Sequence, residues 1–139
     1  MTAFWWALLT AGIWGVVPLL EKLGIGRSEP LPGVIARSLG VVVGIGVLGL
    51  LRPPWAALRE LSPQAILLLA SGGFLASVVG QMAFYQALKS GAVSTVTPVA
   101  GAYPLVAAVL GWMVLREPLG IGRVLGALLI VVGVWLLRR

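Results

Sequence analysis

From Phe4 to Leu137 the chain reads as about five apolar blocks. Each is close to the roughly 20 residues that an α-helix needs to cross a bilayer core. Only short gaps separate them. Such a pattern leaves few folds open. With 60% hydrophobic and 10% charged residues, the chain lacks the side chains for a polar skin. An all-α integral membrane protein is predicted, with five transmembrane helices over about 4–20, 31–51, 63–88, 92–115 and 119–137. Helices of that length use most of the 139 residues, so a single transmembrane domain is expected. A cell membrane, inner or plasma, is the expected location.

Charge and composition exclude several functions. The balance is 10 Lys+Arg against 4 acidic residues, but the basic residues sit singly at block ends, where they anchor helices in lipid headgroups. Nucleic-acid binding is not expected. Cys, His and Asp are absent, which removes thiol nucleophiles, the usual zinc ligands and catalytic triads. No catalytic residue, metal site or cofactor is predicted. The acids are Glu21, Glu29, Glu60 and Glu117, all at or near block ends.

Local signals give the blocks their limits. Trp5 and Trp6 suit an interfacial belt at the start of the first block, and Pro18 is expected to kink its far end. Gly33, Gly40, Gly44, Gly46 and Gly49 give the second block small faces that let helices approach closely. Ser62 is a good N-cap and Pro63 suits a first helical position. In the third block Gly73, Ser77, Gln81 and Tyr85 recur at every fourth residue and form one small or polar stripe. Ser90-Gly91 leaves room only for a tight reversal into the fourth block. There Pro98 and Pro104 free backbone carbonyls that need partners or line a cavity.

An odd number of spans puts the termini on opposite sides. Arg52, Arg59, Arg116 and Arg123 then fall on one side, against Lys22, Arg27, Lys89, Arg138 and Arg139 on the other, with Arg37 if it snorkels back. So small an excess fits a chain that inserts both ways up, the alternative being one orientation with a weak bias. Two oppositely inserted copies rebuild the inverted repeat that many transporters carry in one chain.

Five motifs in order carry a family likeness. They are Trp14-Gly15 with Lys22 eight residues after the Trp, Arg37 early in the second block, Phe84-Tyr85-Gln86-Ala87-Leu88-Lys89 before a small turn, Pro98, and Arg116-Glu117-Pro118. Together they resemble a single EamA-type five-helix repeat of the drug/metabolite transporter superfamily. The resemblance implies one inverted-repeat unit of a ten-helix transporter fold, with helices one, three and four lining a central cavity. The last block also resembles the dimerisation helix of the small multidrug resistance branch, through Gly126, Leu129, Ile130, Gly133 and Val134. A lone repeat is therefore expected to pair as an antiparallel homodimer. The embedded Glu of that branch has no counterpart here, because counting eight back from Lys22 reaches Trp14. Glu21 is expected to be solvated at a helix end beside Lys22, so a facilitator or a differently coupled exporter is favoured.

The expected substrate-binding residues are Trp14, Lys22, Arg37, Gln81, Tyr85 and Thr97. Trp14 is mid-span and either walls a cavity or packs between helices. Arg37 is the one charge well inside a block, and either meets a substrate carboxylate or gate or snorkels to the interface. Lys22 has the same choice, with a salt bridge as a third. Gln81 and Tyr85 bind substrate or another helix. Thr97, like Ser94 and Thr95, either faces substrate or satisfies a local carbonyl. Gly122, Gly126, Leu129, Ile130 and Gly133 are the expected dimer interface, the alternative being packing of this face within the chain. Transport of small organic solutes by alternating access is the favoured function, with amino-acid-like metabolites the best fit. The alternatives are a small subunit of a heteromeric transporter or lipid-linked flippase, or a structural membrane peptide. Besides its substrate, surrounding lipid is the expected partner.

Overall fold

The computed structural model describes residues 2–118 and 120–137, with backbone only for Arg123. Arg138 and Arg139, two of the basic residues in the charge count, lie outside the described residues. The described residues are helical throughout, without strands, and the chain divides into two compact units, residues 1–89 and 90–139.

In the first unit, α1 spans Ala3–Ile25 and α2 spans Pro30–Leu51. Pro18 lies inside α1, but the helix continues past it to Ile25. Gly26 then ends it at a φ of 50°, a conformation that glycine adopts without steric cost. Pro30 opens α2, where its missing N–H has no helical partner to lose. Arg52, Pro53 and Pro54 close it ahead of a short helix, α3, at Trp55–Arg59.

The next span has three parts. α4 runs Pro63–Phe74, capped by Ser62, whose Oγ accepts from the Ala65 N–H at 3.1 Å. A π-helical segment follows over Leu75–Gly80, and α5 completes the span at Gln81–Ser90. A π turn takes up more residues than an α turn, so it offsets the part of the stripe before it from the part after it. Gly73 is exposed, whereas Gln81 is half-buried and Tyr85 buried.

In the second unit, α6 (Val93–Ala100) and α7 (Tyr103–Leu115) are separated by a break at Gly101-Ala102. Pro98 is inside α6, but Pro104 stands in the first turn of α7, where it starts a helix rather than kinking one. α7 stops at Arg116, in the left-handed conformation with φ 55°. The N–H groups of Arg116 and Glu117 both donate to the Gly111 carbonyl, and Pro118 prevents continuation. The Arg-Glu-Pro motif is thus a helix stop. α8 spans Ile121–Leu137 and contacts α6 and α7.

Four stretches are long and apolar enough to cross a membrane: Ala3–Ile25, Pro30–Leu51, Pro63–Ser90 and Val93–Leu115. A shorter apolar helix covers Val124–Leu137. Among the described residues, only Pro18, Ile25, Val34, Tyr85 and Leu88 are buried, and all are in the first unit. Most large apolar side chains elsewhere are exposed, as they are where lipid is the solvent.

Candidate functional site

Three helices of the first unit bring polar side chains to one carboxylate. α1 turns Val17, Pro18, Glu21, Lys22 and Ile25 inward, α2 turns Pro30, Gly33, Val34, Arg37 and Ser38, and α5 turns Gln81, Phe84, Tyr85 and Leu88. Each set has helical spacing, so each is one face. Gly33 sits where the three faces meet. A Cβ there would lie 2.9 Å from Tyr85 Cε2 and would collide with the end of Ile25. Only a glycine lets the Tyr85 ring lie this close to α2.

The carboxylate belongs to Glu21. Its Oε1 accepts from Arg37 Nε at 3.1 Å, from Gln81 Nε2 at 3.0 Å and from the Tyr85 hydroxyl at 3.2 Å. Its side chain is 10% exposed and that of Arg37 32%. The expectation of a solvated Glu21 is therefore overturned. α1 runs on past Leu20 to Ile25, so Glu21 lies about one turn inside the helix, about 6 Å along its axis from Ile25. There it faces Arg37 rather than water. A shielded acid and base each cost several kcal/mol to desolvate, and mutual pairing with further hydrogen bonds offsets that cost.

The bonding is uneven. All three hydrogen bonds end on Oε1, and Oε2 carries none of them. On the other partner, Arg37 Nη1 is shielded from solvent and has no hydrogen-bond partner. Both residues and Tyr85 line an open groove of about 530 Å³ whose other walls are aliphatic or small, including Val17, Leu20, Ala36 and Val41.

Of the expected site residues, Arg37, Gln81 and Tyr85 thus converge on Glu21, which was not among them. Arg37 turns to this acid rather than simply extending to the interface. The Lys22 ammonium donates to the Leu88 carbonyl, tying α1 to α5 beside the cluster. Trp14 is 57% exposed on α1 and stands seven residues before Glu21, about 10 Å along the axis, outside the cluster. Thr97 is in the second unit, where its Oγ1 is shielded without a hydrogen-bond partner. A hollow of similar volume in that unit, about 530 Å³, is lined by Trp112, Met113, Arg116, Glu117 and Pro118. It surrounds the helix stop.

One signal for Glu21 was available in the sequence. Arg37 sits well inside an apolar block and needs a counter-charge, and the chain offers only four acids. The loop between α1 and α2 is so short that Glu21 and Arg37 stand at neighbouring depths. What hid the pairing was the placement of the end of α1 at Leu20.

The EamA-like transporter family matches over residues 1–139. The chain belongs to this family. That confirms the family resemblance carried by the five motifs. An uncharacterized transporter in the cobO 3' region of Sinorhizobium sp is 27% identical over 132 residues, covering 95% of this chain and 93% of that protein. An uncharacterized protein of Methanocaldococcus jannaschii is 26% identical over 136 residues, covering 98% and 96%. An α-(1→3)-arabinofuranosyltransferase of Mycobacterium tuberculosis is 31% identical over 111 residues, 73% of this chain but 8% of that enzyme. No solved structure matches. Family and helices together make this EamA chain a multi-pass membrane protein of a transporter family, and point away from an enzyme.

Proposed function

We propose that this EamA chain moves small organic solutes across a cell membrane by alternating access, as an antiparallel dimer of five-span repeats. The observation that carries the reading is the Glu21 cluster: a shielded acid, a base and two neutral donors on an open groove within an apolar helical unit. Ionisable groups at such positions are expensive, and substrate or ion pathways are among their uses. Arg37, Gln81 and Tyr85 contact substrate directly in this reading, Lys22 holds α1 against α5, and Trp14 and Thr97 are proposed as further substrate contacts, each within its own unit.

Pairing is supported by two observations. The chain spans 93% and 96% of two relatives' lengths, so both are proteins of about one repeat. On α8, a Cβ added at Gly122, Gly126 or Gly133 meets nothing within 4 Å, and Leu129 is 72% exposed. A helix face this open suits packing between chains through these residues and Ile130. Val124–Leu137 serves as the fifth span.

Flux decides the function. Proteoliposomes loaded with labelled amino acids, monoamines and monocarboxylates should release at least one class faster than empty liposomes, with the gain lost in Glu21→Gln. No release of any class above the empty control counts against transport. Topology decides the assembly. The chain has no Cys, so Ser28→Cys and Glu60→Cys can each be probed in intact cells with an impermeant maleimide. Both sites labelled in part of the population supports dual insertion. Labelling at one site alone ends the antiparallel homodimer and favours a second reading, a small subunit of a heteromeric transporter or lipid-linked flippase.

A further inference from the structure

We propose that the π segment Leu75–Gly80 is a register joint: by closing to α-helical pairing it turns α4 against a fixed α5, and this turn is the motion that alternates access. The inference rests on the transport reading and adds its moving part.

The geometry of the joint comes first. A π turn pairs each N–H with the carbonyl five residues back and holds one residue more than an α turn. If the same residues close to α pairing, one end of the span turns against the other by about 100° and the length changes by about 1.5 Å. Neither flanking helix has to unfold, because the exchange is confined to the backbone bonds of the segment.

The two sides of the joint are held differently. α5 is pinned: Gln81 and Tyr85 donate to Glu21, Lys22 donates to the Leu88 carbonyl, and the Tyr85 ring fills the space at Gly33. The π segment packs on α2, with Ser77 and Val78 half-buried. α4, by contrast, is exposed at every residue except Ala65. Its Ser71 hydroxyl donates within the helix, to the Leu67 and Leu68 carbonyls. Turning α4 therefore breaks no described side-chain bond, whereas turning α5 breaks the Glu21 cluster.

Gly80 suits the wide turn. A Cβ there would press on the Leu75 carbonyl at 3.1 Å, and that is the carbonyl a π turn brings to residue 80. Just before the segment, a Cβ added at Gly72 or Gly73 meets nothing within 4 Å. Glycine weakens a helix, so the α ladder is weak on both sides of the joint, which favours exchange between the two pairings. Joints of this kind, a few residues that absorb the change between rigid elements, are how packed helices move without melting.

Spin labels read the motion. The chain has no Cys, so Leu48→Cys on α2 and Leu67→Cys on α4, both exposed, carry the only labels. The labelled full chain is diluted with unlabelled chain in lipid vesicles, and the distance within one chain is measured by pulsed electron paramagnetic resonance. Two distances are expected, because a turn of about 100° carries the end of an α4 side chain by about 8 Å. Deleting the exposed Val79 removes the extra residue and fixes the present register by α pairing. That variant should show one distance, and its flux should fall at least about tenfold. Two distances that persist in it overturn the joint.

Should the deletion fail to fold, Gly80→Ala keeps the length and disfavours the wide turn. It should enrich the second distance at least about twofold, while Gly72→Ala, in open space, leaves the balance unchanged. Equal shifts in the two alanine variants, or a single distance in both Gly80→Ala and the unaltered chain, overturn the proposal. Two distances without flux of any solute class sink the transport reading and keep the joint. Undiminished flux in the Val79 deletion keeps transport and overturns the joint as its moving part.

Discussion

The two units of this chain solve the membrane problem differently. Residues 1–89 contain every buried residue among the described ones, and join α1, α2 and α5 through one shared carboxylate. In residues 90–139 no described side chain is buried, and a Cβ added at Gly122, Gly126 or Gly133 on α8 meets nothing within 4 Å. In lipid, apolar surface alone gives helices little reason to associate, so association depends on polar bonds or close small-residue packing. The first unit uses the polar route internally. The second has no such described polar cluster, and offers small residues at Gly122, Gly126 and Gly133 of α8. Substitutions in the first should therefore disturb the single chain, and those on the open face of the second should disturb the assembly.

The largest effect is expected from Glu21→Leu. It leaves Arg37 without its counter-charge and Gln81 and Tyr85 without their acceptor. A loss of about 2–3 kcal/mol is expected, toward the low end for a broken buried pair because Arg37 is partly exposed. Thermal unfolding followed by tryptophan fluorescence in detergent measures it. The double variant Glu21→Leu/Arg37→Leu should recover most of that stability and no flux, because a missing pair costs less than a broken one. If the double variant is as unstable as the sum of the two single ones, the pair does not hold the unit together.

Gly33→Val comes next. Its side chain enters the space held by Tyr85 and Ile25, and overpacking at such a contact costs about 1–3 kcal/mol. Gly40→Val, with nothing within 4 Å of an added Cβ, is the control on the same helix and should change little. Equal melting temperatures for the two variants would show that the three-helix contact at Gly33 is dispensable.

This contrast also explains what could be read from the residues. The all-helical membrane class was legible because apolar blocks of spanning length are a strong pattern. Ser62 and Pro63 announced the start of α4 through capping chemistry that acts over three residues. Arg37, Gln81 and Tyr85 stood out as polar residues in apolar blocks. Glu21 did not, because its environment depends on where α1 ends, and helix ends are the least certain feature of any periodic pattern. The π segment was also invisible: nothing in Leu75–Gly80 differs from an ordinary apolar helix. Similarly, Pro104 reads from sequence as a proline inside a span that frees a carbonyl, yet the break at Gly101-Ala102 places it in the first turn of a new helix.

Gly126→Leu tests the second unit's side of the comparison. An added Cβ there meets nothing within 4 Å, so the single chain should lose less than about 0.5 kcal/mol. The dimer should suffer instead. Amine-reactive crosslinking in membranes should yield dimer for the unaltered chain and little for Gly126→Leu. Undiminished dimer would move the interface away from α8.

The smallest effect is expected at the end of α7, and it is a gain. Arg116 adopts φ 55°, where a side chain costs of order 1 kcal/mol and glycine costs little. Arg116→Gly should therefore stabilise the chain by about 0.5–1 kcal/mol, with Arg116→Asn in between, since Asn tolerates this region better than Arg. Arg116→Lys keeps both the strain and the charge and should be neutral. Ordered melting temperatures of Gly above Asn above Lys, with Lys equal to Arg, locate the cost in the backbone of the helix stop. A fall in all three would mean instead that the guanidinium itself holds the turn. The second unit would then have a polar anchor of its own, and the contrast with the first would narrow.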